Sequence, residues 1–155
     1  MKLSIALLVL AMIAGSAMAY HQFVEPNYFR NSDDVFEYVS TANHQIYVFL
    51  VYNRVWAAEE YQHPLKARYD LEREDLKQII GKYGRDVHFS EIDVTQGDFT
   101  HMLQEVGVNT SDLDTYPIAV VIDDGHGIWV QGPREFSRVS RIIDEFVKDP
   151  ESHWY

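Results

Sequence analysis

The sequence predicts an α/β domain with a mixed sheet of four or five strands and helices on both faces. Three observations carry this. Residues 45–52 (QIYVFLVY) form an unbroken apolar run rich in β-branched and aromatic side chains, the pattern of a strand buried on both faces. Stretches of helical spacing alternate with strand-like stretches between residues 33 and 148. Strands joined through helices pair in parallel. Two short apolar runs flank Asp124-Gly125, a hairpin signal that adds an antiparallel pair.

Each element follows in order. Residues 1–19 read as a targeting segment: Lys2, then an almost wholly apolar run over 3–14, a Gly15-Ser16 break, and Ala17-Met18-Ala19 in an A-x-A arrangement. A cleaved secretory signal peptide is expected. The alternative is a retained N-terminal membrane anchor, because 17 residues lie at the lower edge of what spans a bilayer. Residues 20–31 are an aromatic-rich lead-in without periodicity. Ser32 reads as an N-cap with Asp33 and Asp34 in the first turn, opening a helix over 33–42 with Val35, Phe36 and Val39 as its stripe. The apolar strand follows at 45–52.

Residues 57–83 read as one long charged helical region, broken near its start by Pro64. Leu65, Tyr69, Leu76, Ile80 and Tyr83 keep helical spacing, and Gly81 and Gly84 end it. The charges between Arg68 and Asp75 crowd one stretch, with Leu71 off the stripe, so this part is expected to project from the body toward a partner. Residues 87–94 alternate as a second strand, 98–106 form a short helix, and 118–122 and 128–130 form the hairpin strands. A helix over 136–148 closes the fold, and Asp149-Pro150 stops it. The globular domain is therefore 32–149, with a tail at 150–155.

Composition narrows the function classes. Acidic residues outnumber basic ones 24 to 13, for a net charge of −11. That balance repels nucleic acid and anionic membranes, so neither is an expected partner. Cysteine is absent, which removes disulfides, thiolate metal sites and thiol nucleophiles. The seven histidines are scattered without ligand spacing, so no metal or cofactor is expected. Asp123-Asp124-Gly125-His126-Gly127 lacks the later acidic ligand of a calcium loop and reads as a turn. No G-x-S-x-G elbow occurs, and catalysis is not expected.

The ordered set resembles the thioredoxin fold family over roughly residues 33–148. Residues 47–52 (YVFLVY), Trp56 and Pro64 resemble the family's central strand, redox loop and following helix. Residues 88–95 (HFSEIDVT) are similar to the next strand. Tyr116-Pro117 before 118–121 (IAVV) resembles the family's tyrosine-proline segment, where the proline is cis. With the N-terminal segment, the closest likeness is to the redox-inactive domains of the protein disulfide isomerase group, which bind polypeptide or act as spacers. The family's cysteine positions fall on Trp56 and Glu59, or one residue later on Ala57 and Glu60, and neither register holds a thiol. Thiol–disulfide exchange is therefore excluded.

What the resemblance implies is a protein- or polypeptide-binding domain of the secretory pathway, in the endoplasmic reticulum lumen or secreted. Its candidate surface runs from Trp56, Ala57, Glu59 and Glu60 to Tyr116 and Pro117. A cis bond before Pro117 would leave the preceding backbone free to pair with an extended chain. Plainer roles stand beside these: loop packing for Trp56, and favourable helix-dipole placement for Glu59 and Glu60. Asn109-Thr110-Ser111 is a glycosylation sequon in a polar stretch. The alternative class is a membrane-anchored accessory subunit of a large membrane complex, a mitochondrial one among the options, in which the apolar segment stays in the bilayer.

Overall fold

The computed structural model describes residues 29–40 and 45–148. The signal or anchor segment, most of the lead-in, the end of the first helix at 41–42 and the tail lie outside the described residues. The elements are α1 (Ser32–Ser40), β1 (Ile46–Tyr52), the single turn α2 (Arg54–Ala57), α3 (Lys66–Gly81), β2 (Val87–Asp93), α4 (Thr100–Glu105), β3 (Ile118–Asp123), β4 (His126–Gln131) and α5 (Arg138–Lys148).

The four described strands form one sheet in the order β2-β1-β3-β4. β1 pairs in parallel with β2 and antiparallel with β3, and β3 pairs antiparallel with β4. All seven residues of β1 are buried. Its side chains alternate between two cores, as a period of two requires. Val48, Leu50 and Tyr52 join Tyr69, Leu76 and Ile80 of α3 and Val139, Ile143 and Phe146 of α5. Tyr47, Phe49 and Val51 join Val35 of α1 and Met102 and Leu103 of α4. A strand with helices over both faces has no water-facing side, which is why the run is unbroken.

Three local readings change. The cap of α1 is Asn31, whose Oδ1 accepts the Asp34 N–H at 3.0 Å. Ser32 instead donates its hydroxyl to Asp98 O and accepts the Met102 N–H, tying α1 to α4. Residues 57–83 do not form one helix. After α2 the chain runs through turns and extended backbone, and helix resumes at Lys66 behind Pro64, which lacks an N–H and disfavours helix in the residue before it.

The charged part of α3 does not project. Tyr69, Glu72 and Leu76 are buried, and Arg73 and Lys77 reach over β2 to Glu91, which is 3% exposed at its side chain. Two cations on one buried carboxylate hold the helix to the sheet. The separation of Lys77 Nζ from Glu91 Oε1 is 3.0 Å. Leu71 alone among the apolar residues of this stretch stays exposed.

The hairpin turn takes the form that two-residue loops prefer. Asp124 and Gly125 both have positive φ, 49° and 83°, which matches the twist of the flanking strands.

Candidate functional site

The loop between β1 and α3 holds the expected binding residues, and the structure divides them. Asn53 caps α2, accepting the Val55 N–H through Oδ1 at 3.1 Å and donating Nδ2 to Asp114 Oδ1 at 2.7 Å. That single turn aims Trp56 inward. Its indole Nε1–H donates to Leu113 O at 3.0 Å, and the ring is fully buried. Tyr61, His63, Tyr69 and Tyr116 surround it with ring centroids 5.0–5.8 Å away. Buried indoles need such a donor partner. Trp56 is thus the centre of an aromatic core rather than a rim. Ala57, Glu59 and Glu60 remain exposed. Glu59 and Glu60 lie in the turn after α2, ahead of the helix, so they gain nothing from its dipole.

Tyr116 and Pro117 do come against this loop, but both are buried. No cis peptide occurs among the described residues, so the Tyr116–Pro117 bond is trans, contrary to the expectation. The backbone before Pro117 is also occupied. Gln131 Nε2 donates to Tyr116 O at 2.6 Å and to Asp112 O at 2.8 Å. The side chain of β4's last residue thus takes the carbonyl that strand addition would have used. Asn109 is exposed, within a capping box that opens the turn Thr110–Asp114.

Beneath the loop lies a buried polar cluster that the sequence reading missed. Glu72 falls between Tyr69 and Leu76 on the buried stripe of α3 and is 5% exposed. Its carboxylate accepts from Arg68 Nε, from the Arg134 backbone N–H and, at 3.2 Å, from the Tyr116 hydroxyl. Burial and the neighbouring Glu72 raise the Tyr116 phenol above its ordinary range. Burial raises Tyr69 likewise, and Tyr52 is pushed up to about 12 by burial with Glu91 and Asp93 beside it. These phenols, raised above their ordinary range, all stay protonated through the neutral range and serve as hydroxyl groups within the cluster.

An open cleft lies on the opposite face. The groove between α1, α4 and the β3–β4 turn encloses about 490 Å³. Phe36 and Val39 of α1 form one wall, Met102 and Val106 the other, with Ile122 and Gly127 as floor. Gly127 is what keeps the floor low. A Cβ there would sit 3.5 Å from Val106 Cγ1 and 3.6 Å from Ile122 Cγ1. His101 stands at the rim against Phe36, ring centroids 5.0 Å apart, with Glu105 at 3.5 Å. Among the described residues, Glu105 is the only carboxylate on the groove's lining; Asp33, Asp34, Glu37, Asp124 and the buried Asp123 lie elsewhere on the same segments, which carry no lysine or arginine. Phe36 and Val39 were legible as a helical stripe. That one part of it stays open could not be read, because it depends on which elements fail to meet.

No protein-family model matches the sequence, and no curated protein matches it. Solved structures do. The chain is similar to thioredoxin f2 as crystallised with ferredoxin:thioredoxin reductase, at 18% identity and a TM-score of 0.54, covering 80% of this chain and 94% of that one. Schistosoma mansoni thioredoxin gives 15% and 0.51, covering 83% and 97%. The long form of spinach chloroplast thioredoxin f gives 14% and 0.51, covering 88% and 94%. At these identities the likeness is one of fold. The fold is thioredoxin-like, and the sequence holds no cysteine.

Proposed function

We propose that this thioredoxin-like domain without cysteine works by binding a polypeptide segment, and that the segment enters the groove between α1, α4 and the hairpin turn. The observation that carries the reading is an apolar cleft of about 490 Å³ with Glu105 as the one carboxylate among the described residues of its lining, set among segments that carry further carboxylates and no lysine or arginine. The segment that fits presents one large apolar side chain to Phe36, Val39 and Ile122, flanked by lysine or arginine. Exchange chemistry has no thiolate to start it, so affinity and not turnover is the output. The N-terminal segment supports delivery to the secretory pathway, where an Asn109 sequon is meaningful.

The test is titration of the chain with peptides that differ in one feature at a time. A peptide with an apolar centre and two flanking lysines binds, and exchange of those lysines for glutamate abolishes binding. Glu37→Lys with Glu105→Lys weakens the first peptide and admits the second. Equal affinity for both peptides sinks the proposal. N-terminal sequencing of the native protein decides the delivery route: a start at Tyr20 fits export, and an intact Met1 fits the membrane-anchored accessory subunit.

A further inference from the structure

Cations are scarce in this chain, and three of its 13 basic residues line one cleft. The cleft lies between α3 and the 132–137 segment, on the face of the sheet away from the groove, and encloses about 310 Å³. Arg68, Lys82 and Arg134 line it, against two carboxylates, Glu72 and Asp75. Glu72 serves three donors of the fold, so its charge is committed there. Asp75 is exposed. On a chain of net charge −11, this lining carries the opposite sign.

The backbone at Arg134 is a second observation. Gly132-Pro133-Arg134-Glu135 is a tight turn, closed by the Glu135 N–H on Gly132 O at 3.2 Å. Arg134 has φ 72° and ψ −1°, the values of the third residue of a type II turn. Glycine suits that place, because a Cβ is strained at positive φ. Here an arginine holds it. Its N–H donates to Glu72, and its carbonyl accepts from Ser137 Oγ at 2.9 Å. Glycine would offer the same two backbone groups with less strain. The guanidinium is what arginine adds.

The cationic groups are available. Among the described residues, no carboxylate lies within 4 Å of the Arg134 guanidinium or the Lys82 ammonium. Arg68 engages Glu72 through Nε, and its terminal amino groups make no further hydrogen bond among the described residues. Glu72 thus holds Arg68 by one nitrogen and Arg134 by its backbone, and both arginines keep donors in reserve on the same cleft.

We propose that this cleft binds the phosphate of a small organic phosphate monoester. Guanidinium forks match phosphate oxygens, and a lysine adds a point charge. Three cations favour a dianion over a single carboxylate. Leu76, Ile79 and Phe136 line the same cleft and suit the organic part of the ester. The net charge of −11 opposes every anion at a distance, so retention depends on these local donors. The inference stands apart from the groove reading, which concerns the other face.

The test is isothermal titration calorimetry of the full chain in a buffer free of phosphate and sulfate, with phenyl phosphate, inorganic phosphate and benzoate as probes. Phenyl phosphate binds tightest, inorganic phosphate less tightly, and benzoate at least about tenfold more weakly than phenyl phosphate. Arg134→Gly removes the guanidinium and the backbone strain together. Affinity for phenyl phosphate then falls about tenfold or more, while the melting temperature holds or rises. Lys82→Gln weakens binding about fivefold. Arg141→Gln, an equal loss of charge at an exposed position of α5 outside the cleft, leaves the affinity unchanged. Absence of binding at millimolar phenyl phosphate overturns the inference. So does an affinity untouched by Arg134→Gly, or one lowered as much by Arg141→Gln, which would reduce the effect to general charge attraction. A marked fall in melting temperature for Arg134→Gly assigns the side chain to the fold and overturns it too. Inorganic phosphate bound as tightly as phenyl phosphate overturns the monoester in favour of the free anion.

Discussion

Glu72 offers the sharpest test of how the fold is held. Its carboxylate is 5% exposed and satisfies three donors: Arg68 Nε, the Arg134 backbone N–H and the Tyr116 hydroxyl. Glu72→Leu keeps the volume and removes every acceptor. Arg68 is 44% exposed at its side chain and recovers water, so its loss costs little. The Tyr116 hydroxyl and the Arg134 N–H are less free to do so, and each stranded donor costs about 1–3 kcal/mol. The apolar replacement returns about 1–2 kcal/mol through burial. The net expectation is a loss of about 2–4 kcal/mol. Glu72→Gln keeps one oxygen but presents an amide to a donor, and should cost about half as much. Tyr116→Phe removes one donor together with its need for an acceptor and costs about 1 kcal/mol. Urea unfolding followed by far-ultraviolet circular dichroism reads all three, provided the m-values agree. A Glu72→Leu midpoint within about 0.5 kcal/mol of wild type refutes the account, and so does a costlier Tyr116→Phe.

Other outcomes follow from the same packing. A Cβ on Gly97 would lie 1.9 Å from Arg30 O, so Gly97→Ala must displace backbone where Asn31 bridges Asp98. The expected loss is about 1–3 kcal/mol, and an unchanged melting temperature would contradict that close approach. Tyr52 and Tyr83 are pushed up to about 12, and Tyr69 and Tyr116 higher still. Their unfolded phenols ionise near 10, so stability is intact below pH 10 and falls as pH rises above it. Absorbance near the phenolate band at about pH 11 should show these four of ten tyrosines still protonated until urea is added; full ionisation without urea would sink the reading. Burial lowers His88 below 6.5, so acid favours the unfolded chain as pH falls from 6.5 toward the lowered value. His88→Gln should flatten stability across that window, and an unaltered slope would exclude His88 as its source. The chain should leave insulin disulfides intact in a thiol-free assay, and any reduction above the buffer blank would contradict a chemistry that needs a thiolate.

Features that depend on neighbours within a few residues were legible in the chain. The apolar run of β1 demanded burial on both faces, and Asp124-Gly125 demanded a tight turn. The stripe of Tyr69, Leu76 and Ile80 marked the buried face of α3, and zero cysteines removed the redox chemistry outright. Features that depend on distant partners were not legible. Trp56 looked like a rim residue until Leu113, 57 residues away, supplied its acceptor. The backbone before Pro117 looked available until Gln131 capped it. The charges of α3 looked like a solvated arm, because spacing along the chain cannot reveal that Glu91 on β2 lies beneath Arg73 and Lys77. The groove is the clearest case. Each of its walls is an ordinary buried stripe in sequence, and only the gap left where α1, α4 and the hairpin fail to close makes it a surface. Periodicity is a local property and dictates which face turns inward. Whether that face is then covered is settled by the packing of elements far apart in the chain.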